Sequence, residues 1–383
     1  MKKILLALVF IQSLFGFSIF AGMDMPLKLA IQPAPSEASY FTAKGKNNLL
    51  YELSLENFEN NPMNLQSLEV DEIWPSGKVT HRKFNREELK KMYSGIAALP
   101  TQPQDPVLQA GQAGVIYVLL DYPQNLGLPK SVTNKIVGSR GAAGQKTYTM
   151  SSAPLSVAPK AATLIASPLK GENWFTPNGP SNVSIHRRVM IPMDGKVEIP
   201  ERFAVDWIKV DETGLSYKGD PKKNENYYAY KKPIYAVASG KVVAAKDGIP
   251  ENTPTEKEMA VTINLETIGG NYIIQEVAPG IYAFYAHMIP GSQKVKVGDL
   301  VKEGVLIGLL GNSGNSSEPH LHFQLIDQAN PLHGEGLPFT LKNFIRTNYD
   351  MKLDDKQDFT YFKIKDKHPV QNESFIDFDL GDL

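Results

Sequence analysis

The chain has 383 residues, long enough for two domains each with its own core, and its 40 Lys+Arg against 41 Asp+Glu leave a formal net charge of -1. So even a balance argues against a protein held by its overall charge to nucleic acid or to an acidic membrane surface. With no cysteine, the chain has neither disulfides nor the thiol that anchors a bacterial lipoprotein, and packing alone must stabilise its cores.

Residues 1–21 begin Met-Lys-Lys and continue into ILLALVFIQSLFGFSIFA, a short positive region followed by an apolar run that ends in small residues. This predicts a signal peptide cleaved after Ala21 and a mature protein that is periplasmic or secreted, without stable membrane insertion. Over residues 25–152 short strands alternate with turns. Tyr51, Leu53 and Leu55 alternate with Glu52, Ser54 and Glu56, Met63 to Val70 forms a second partly alternating run, and VIYVLLDYP after Gly114 reads as a strand of a sandwich core. Only Arg86 to Ile96 is expected to be helical, capped by Asn85 and stopped at Gly95. The pattern fits an immunoglobulin-like β-sandwich.

Residues 153–182, rich in proline, alanine, glycine and asparagine, read as a linker. Residues 183–345 form a second, mostly β domain with strands in PIYAVASGKVVAAKDG, MAVTINLETIGGNYIIQEV and IYAFYAHM, and the polar, acidic residues 346–383 read as a tail in which SFIDFDL could add an edge strand.

The second domain also gathers the chemistry. In SSEPHLHFQLID, His320, His322 and Gln324 alternate with Leu321, Phe323 and Leu325, so on a strand both imidazoles project to one side. A hydrolytic zinc site takes three ligands from His, Asp or Glu and leaves the fourth position to water. His186, Asp206, His287, His320, His322 and His333 supply enough candidates for one.

The stretch from Tyr285 to Leu325 contains Tyr-Ala-His, Val-Gly-Asp-x-Val-x-x-Gly, Ile-Gly, Gly-Asn-Ser-Gly and Pro-His-Leu-His-Phe in order. It resembles the lysostaphin-like (LytM-type) zinc metallopeptidases, which cut peptide bonds of bacterial peptidoglycan. The resemblance implies a lysostaphin-like antiparallel sheet, zinc as cofactor, and peptidoglycan stem or bridge peptides as substrate. It makes His322 a zinc ligand and gives His287 and His320 the tasks of orienting the attacking water and stabilising charge on the scissile carbonyl.

The family's other ligands lie in a His-x-x-x-Asp segment, matched here by ERFAVDWIKVD. Asp206 fits, but Arg202 holds the histidine's place, and a guanidinium has no lone pair to offer. On a continuous strand Arg202 would face the same side as Asp206. Two outcomes are open. Arg202 pairs with Asp206 in a metal-free pocket, and the domain binds peptidoglycan or regulates another cell-wall hydrolase. Alternatively, Arg202 swings away to a different partner and His186 enters as the replacement ligand: folding about the Asp194-Gly195 turn sets it opposite Phe203, and a one-residue slip would turn it to the metal. His333 reads as a loop residue after the strand, His81 and His368 as exposed, and Ser216 to Pro233 as a solvated loop, with a wall of a substrate groove as the alternative.

Overall fold

The structure is a computed structural model that describes residues 29–43, 46–59, 61–95, 104–140, 146–157, 162–180, 182, 184–193, 196–342, 344–347 and 361–364. The expected signal peptide, the Asp194-Gly195 turn, His368 and SFIDFDL lie outside these residues. The mostly β class expected from the sequence holds. No described helix is long and apolar enough to cross a membrane.

The N-terminal unit contains β1 (Leu29–Ala43), β2 (Lys46–Asn57), β3 (Met63–Ile73), β4 (Val79–Phe84), the helix α1 (Arg86–Met92), β5 (Tyr93–Gly95), β6 (Val107–Leu108), β7 (Ala113–Pro123), β8 (Ser131–Arg140), β9 (Lys146–Ser151) and β10 (Leu155–Val157). Among the described residues the strands pair in the order β4-β3-β8-β10-β1-β2-β7-β5. β1 pairs antiparallel with β2 and, beside an irregularity between Ala34 and Ser39, parallel with β10. It thereby links two faces that close over one core. Leu49, Tyr51, Leu53 and Leu55 meet Leu65, Leu68, Val70, Ile116, Val118 and Leu120 there. In α1 the Asn85 side chain accepts from the amides of Glu87 and Glu88, and Glu88 reaches back to the Asn85 amide, a complete capping box. The helix ends at Met92 rather than at Gly95, because Tyr93–Gly95 leaves it to pair with β7.

The second unit contains β11 (Thr163–Ile165), β12 (Gly171–Phe175), the one-turn helix α2 (Ile185–Arg188), β13 (Ile191–Met193), β14 (Lys196–Glu198), β15 (Val205–Lys209), β16 (Pro233–Tyr235), β17 (Gly240–Lys246), β18 (Asn271–Ala278), β19 (Ile281–Met288), β20 (Leu300–Val301), β21 (Leu306–Leu309), β22 (Leu321–Ile326), β23 (Gly336–Leu337), β24 (Phe339–Leu341), β25 (Phe344–Thr347) and β26 (Tyr361–Ile364). Its main sheet runs β20-β17-β18-β19-β22-β15-β12-β26-β25.

Several elements depart from the sequence expectation. The residues read as linker contain β10, β11 and β12, and those read as tail contain β26, which pairs with β12 and β25. The alternating MAVTINLE stretch forms no strand. The Asn264 side chain accepts from the amides of Glu266 and Thr267 and closes a turn there, a local alternative to ladder pairing.

The two units share a packed boundary. Leu50 and Leu119 of the N-terminal sheet belong to the same apolar cluster as Phe203, Val205 and Trp207, and the rings of Phe41 and Phe203 meet edge to face at 6.2 Å. Both faces of β2 and β7 are therefore covered. That explains the unbroken apolar run of VIYVLL and also buries Glu52 in the middle of the polar face of β2, while Glu56 at its end stays exposed.

Candidate metal centre

The site is assembled on β22 and its two neighbours. β15 pairs antiparallel with β22 so that Asp206 stands directly opposite His322, and the His322 Nδ1 lies 3.0 Å from the Asp206 Oδ1. His320 immediately precedes the strand and turns to the same side, its Nε2 3.5 Å from that oxygen. On the other flank β19 carries His287, whose ring centroid is 4.7 Å from that of His320 and 5.9 Å from that of His322. All four side chains are buried.

His287 has φ 61, a left-handed backbone for a non-glycine residue. Such conformations cost energy and persist where surrounding structure over-determines them. Here the surroundings are the Gly-Asn-Ser-Gly turn: the His287 Nδ1 lies 2.8 Å from the Ser313 carbonyl oxygen. That carbonyl comes close because Gly270 and Gly314, both at positive φ, pass each other backbone to backbone. A Cβ on Gly314 would fall 2.3 Å from the Gly270 nitrogen. A carbonyl only accepts, so Nδ1 carries the proton and Nε2 keeps its lone pair.

His186 also reaches the site, by a different route from the one its sequence position suggested. β13 and β14 form the expected hairpin, with Ile191 opposite Glu198 and Met193 opposite Lys196, but the ladder stops at Ile191. Residues 185–188 coil into α2, so His186 never becomes the cross-strand partner of Phe203 and no register slip is involved. From α2 its Nε2 lies 3.1 Å from the Asp206 Oδ2, and its ring is 4.9 Å from that of His322.

Arg202 does not face the site. β15 begins only at Val205, and the preceding residues form turns closed by Arg202 N to Ile199 O and Ala204 N to Glu201 O. The strand alternation that would have aligned Arg202 with Asp206 is therefore absent. Its guanidinium lies fully buried between Glu52 and Glu335.

Burial pushes the Asp206 carboxyl up, but the imidazoles of His186 and His320 outweigh it and hold the group well below the usual carboxylate range. Burial disfavours charge on His322, yet its hydrogen bond to Asp206 prevails and its pKa is pushed up to about 9. His320 is raised too, Asp206 again overcoming burial. His287 is driven well below the ordinary imidazole value, first by burial and then by His320 and His322.

The resemblance implies zinc, and the residues present fit it. Ligand atoms of His186, Asp206 and His322 all lie within 4.8 Å of one another. Two imidazoles and one carboxylate are the donor types zinc takes, and three protein ligands leave a position open. The His186 Nδ1, buried, has no hydrogen-bond partner. The centre opens into a cavity of about 230 Å³ that also exposes His287, His320, Glu201, Phe284, Ile185 and Leu332.

Other sequence candidates fall elsewhere. His333 is 2.6 Å from Glu198 and does not line the cavity, and His81 is exposed beside Asp71 at 2.7 Å. The 216–233 insert packs on the Gly311–Ser317 turn and its neighbours, through Ser216 to Glu318 at 2.8 Å and Asn312 to Asn224 at 3.0 Å, rather than lining the cavity. The sequence reading missed Asn178, whose Nδ2 donates to the Asp206 Oδ2 at 2.8 Å. It lies in the stretch read as linker, where nothing marks it.

Comparison with known proteins matches the same part of the chain. Residues 226–333 match the model of Peptidase family M23. The chain resembles the lysostaphin-like M23 peptidases. The match takes in His287, His320 and His322 and begins after Asp206. Lysostaphin of Staphylococcus staphylolyticus is 36% identical over 93 residues, which cover 24% of this chain and 15% of that protein. The peptidoglycan DD-endopeptidase ShyA of Vibrio cholerae is 33% identical over 86 residues, covering 22% and 19%. The chain thus spans under a fifth of the length of these M23 relatives. The solved catalytic domain of lysostaphin from Staphylococcus simulans aligns at 24% identity over 40% of this chain and 80% of that one, with a TM-score of 0.23, too loose an overlap to inform the site.

Proposed function

We propose that the protein is an exported zinc metalloendopeptidase that hydrolyses peptide bonds in the stem or bridge peptides of bacterial peptidoglycan. The observation that carries the reading is the meeting of His186, Asp206 and His322 within 4.8 Å, beside His287 and His320 in one cavity. His186, Asp206 and His322 are the residues that would hold the metal. Bound zinc would acidify a water and polarise the scissile carbonyl.

The chain's own groups supply the rest. The Nδ1 proton of His287 is committed to the Ser313 carbonyl, which leaves Nε2 to accept a proton from the attacking water. The His320 Nδ1 is anchored on the Glu318 carbonyl at 2.9 Å, so its Nε2 edge is the one turned toward the centre, where a proton on it can stabilise charge on the carbonyl oxygen. Ile185, Phe284 and Leu332 give the cavity an apolar wall beside the histidines. The N-terminal sheets, read as an immunoglobulin-like sandwich, contribute no side chain to the cavity lining.

The competing reading is a metal-free module that binds peptidoglycan or regulates another hydrolase. Its motive was an Arg202–Asp206 pair, and Arg202 is engaged with Glu52 and Glu335 instead. The test is zinc content by mass spectrometry together with muropeptide release from purified cell-wall sacculi. Near-stoichiometric zinc with release of fragments is expected. Zinc-loaded, folded protein that releases nothing from any wall preparation would sink the enzymatic reading.

A further inference from the structure

Of the three residues placed to hold the metal, Asp206 and His322 come from strands and His186 does not. It sits on a four-residue helix whose N-cap, Ser184, makes no side-chain capping bond, and a turn of that length has no stability of its own. Its neighbours hold it in place. Arg187 Nε donates to Glu52 Oε1 at 2.9 Å, and its Nη2 donates to the carbonyls of Tyr51 and Val118 at 3.0 and 2.8 Å. Arg188 donates to the Lys91 carbonyl at 2.8 Å, and its guanidinium lies 4.9 Å from the centroid of the Tyr117 ring. These partners all belong to the N-terminal unit.

The same Glu52 carboxylate takes a second arginine. Arg202 Nε reaches Glu52 Oε2 at 3.1 Å, and Arg202 also binds Glu335, beyond the C-terminal end of β22. Glu52, Arg187 and Arg202 are each wholly buried. One carboxylate from the N-terminal sheet therefore fixes both the turn that carries His186 and the turn that leads into Asp206.

We propose that Glu52 is a positioning residue for the metal centre: acting through Arg187, it places His186, so that the third donor is delivered only while the two units are docked. The proposal rests on the metal reading above. Coupling of this kind is reciprocal, so zinc strengthens the docking to the extent that docking strengthens zinc binding.

The test uses the full chain and zinc titrated against a chromophoric chelator, in the parent, Glu52→Gln, His186→Ala and the double variant. Glu52→Gln is expected to weaken zinc binding by about 10-fold, the lower end of the loss seen when a ligand's own hydrogen-bond partner is removed, because Glu52 acts one residue away through Arg187. The double variant is expected to bind no more weakly than His186→Ala alone. A folded Glu52→Gln protein with parental affinity, or losses that multiply in the double variant, would overturn the proposal. If His186→Ala binds zinc as the parent does, the metal reading itself has failed at His186, a result separate from any effect of Glu52. Should Glu52→Gln not fold, hydrogen exchange on the parent decides: zinc is expected to slow exchange in residues 184–188 and in β2 together. Slowing confined to β15, β19 and β22 would also overturn the proposal.

Discussion

Two buried clusters of charge adjoin in the chain, His186 in one and Arg187 in the other, and they are bonded in opposite ways. Around Glu52, two guanidiniums meet two carboxylates, and every nitrogen of Arg187 donates to Glu52, Asn182, or the carbonyls of Tyr51 and Val118. Around Asp206, one carboxylate meets three imidazoles, the His186 Nδ1 has no partner, and the group opens on a cavity. A closed cluster of matched opposite charges fixes position; one with an excess of imidazoles facing a cavity can take a ligand. The chain uses adjacent residues of one short helix for both tasks.

The sharpest way to break this distinction is to remove the carboxylate of the open cluster. Asp206→Ala should abolish stoichiometric zinc, weakening affinity by more than the ~100-fold upper range for outer-shell losses, while circular dichroism shows a folded chain because the Glu52 cluster is intact. Retained zinc would mean that the donors are not those named here. Next in size, His287→Ala and His320→Gln should each lower muropeptide release by about 10²- to 10⁴-fold, the usual contribution of a positioned acid or base, with metal content unchanged by mass spectrometry. Loss of metal in either variant would move that histidine into the ligand set.

Much of the Asp206 cluster was legible in the sequence and the Glu52 cluster was not, and the illegible parts share a cause. The period-2 pattern around His320 and His322 placed both imidazoles on one side, and Asp206 stands across from His322 in the neighbouring strand. Asn85 and Glu88 marked the start of the helix that forms. Glu52, by contrast, reads as the polar face of an alternating strand, yet it is fully buried because the second unit covers that face. Sequence periodicity reports how many faces of a strand are apolar, not what a distant segment brings to them. The local backbone at Arg202 and His186 differs for a related reason: each is expected on a continuous strand, and turns closed by local backbone hydrogen bonds intervene, although Arg202 does turn to other partners and His186 does reach the site.

Arg202 gives a prediction that sequence resemblance alone would reverse. Arg202→His restores the His-x-x-x-Asp spacing of the family, so resemblance expects tighter zinc. The structure expects no additional zinc binding, because position 202 faces Glu52 rather than the cavity. It also expects a stability loss of about 3–5 kcal/mol, the usual cost of breaking a buried ion pair from one side. Denaturant midpoints with and without zinc would distinguish the two, and a gain in zinc affinity with unchanged stability would contradict the structural reading.

The smallest effect concerns protons. In the metal-free protein His322 is raised from an ordinary 6.5 to about 9 by the net effect of its partners, chiefly Asp206. This contribution to stability is fully present below pH 6.5 and is lost as pH rises through about 9. Zinc requires the neutral imidazole, so between these values its binding must expel the proton, and apparent affinity should rise up to about tenfold per pH unit until it levels off near 9. At fixed free zinc the gap between denaturant midpoints with and without metal should therefore widen from pH 6.5 to 8.5. A constant gap would show that the imidazole paired with Asp206 is not the one that zinc displaces from its proton, and would separate the two parts that His322 plays in the open cluster.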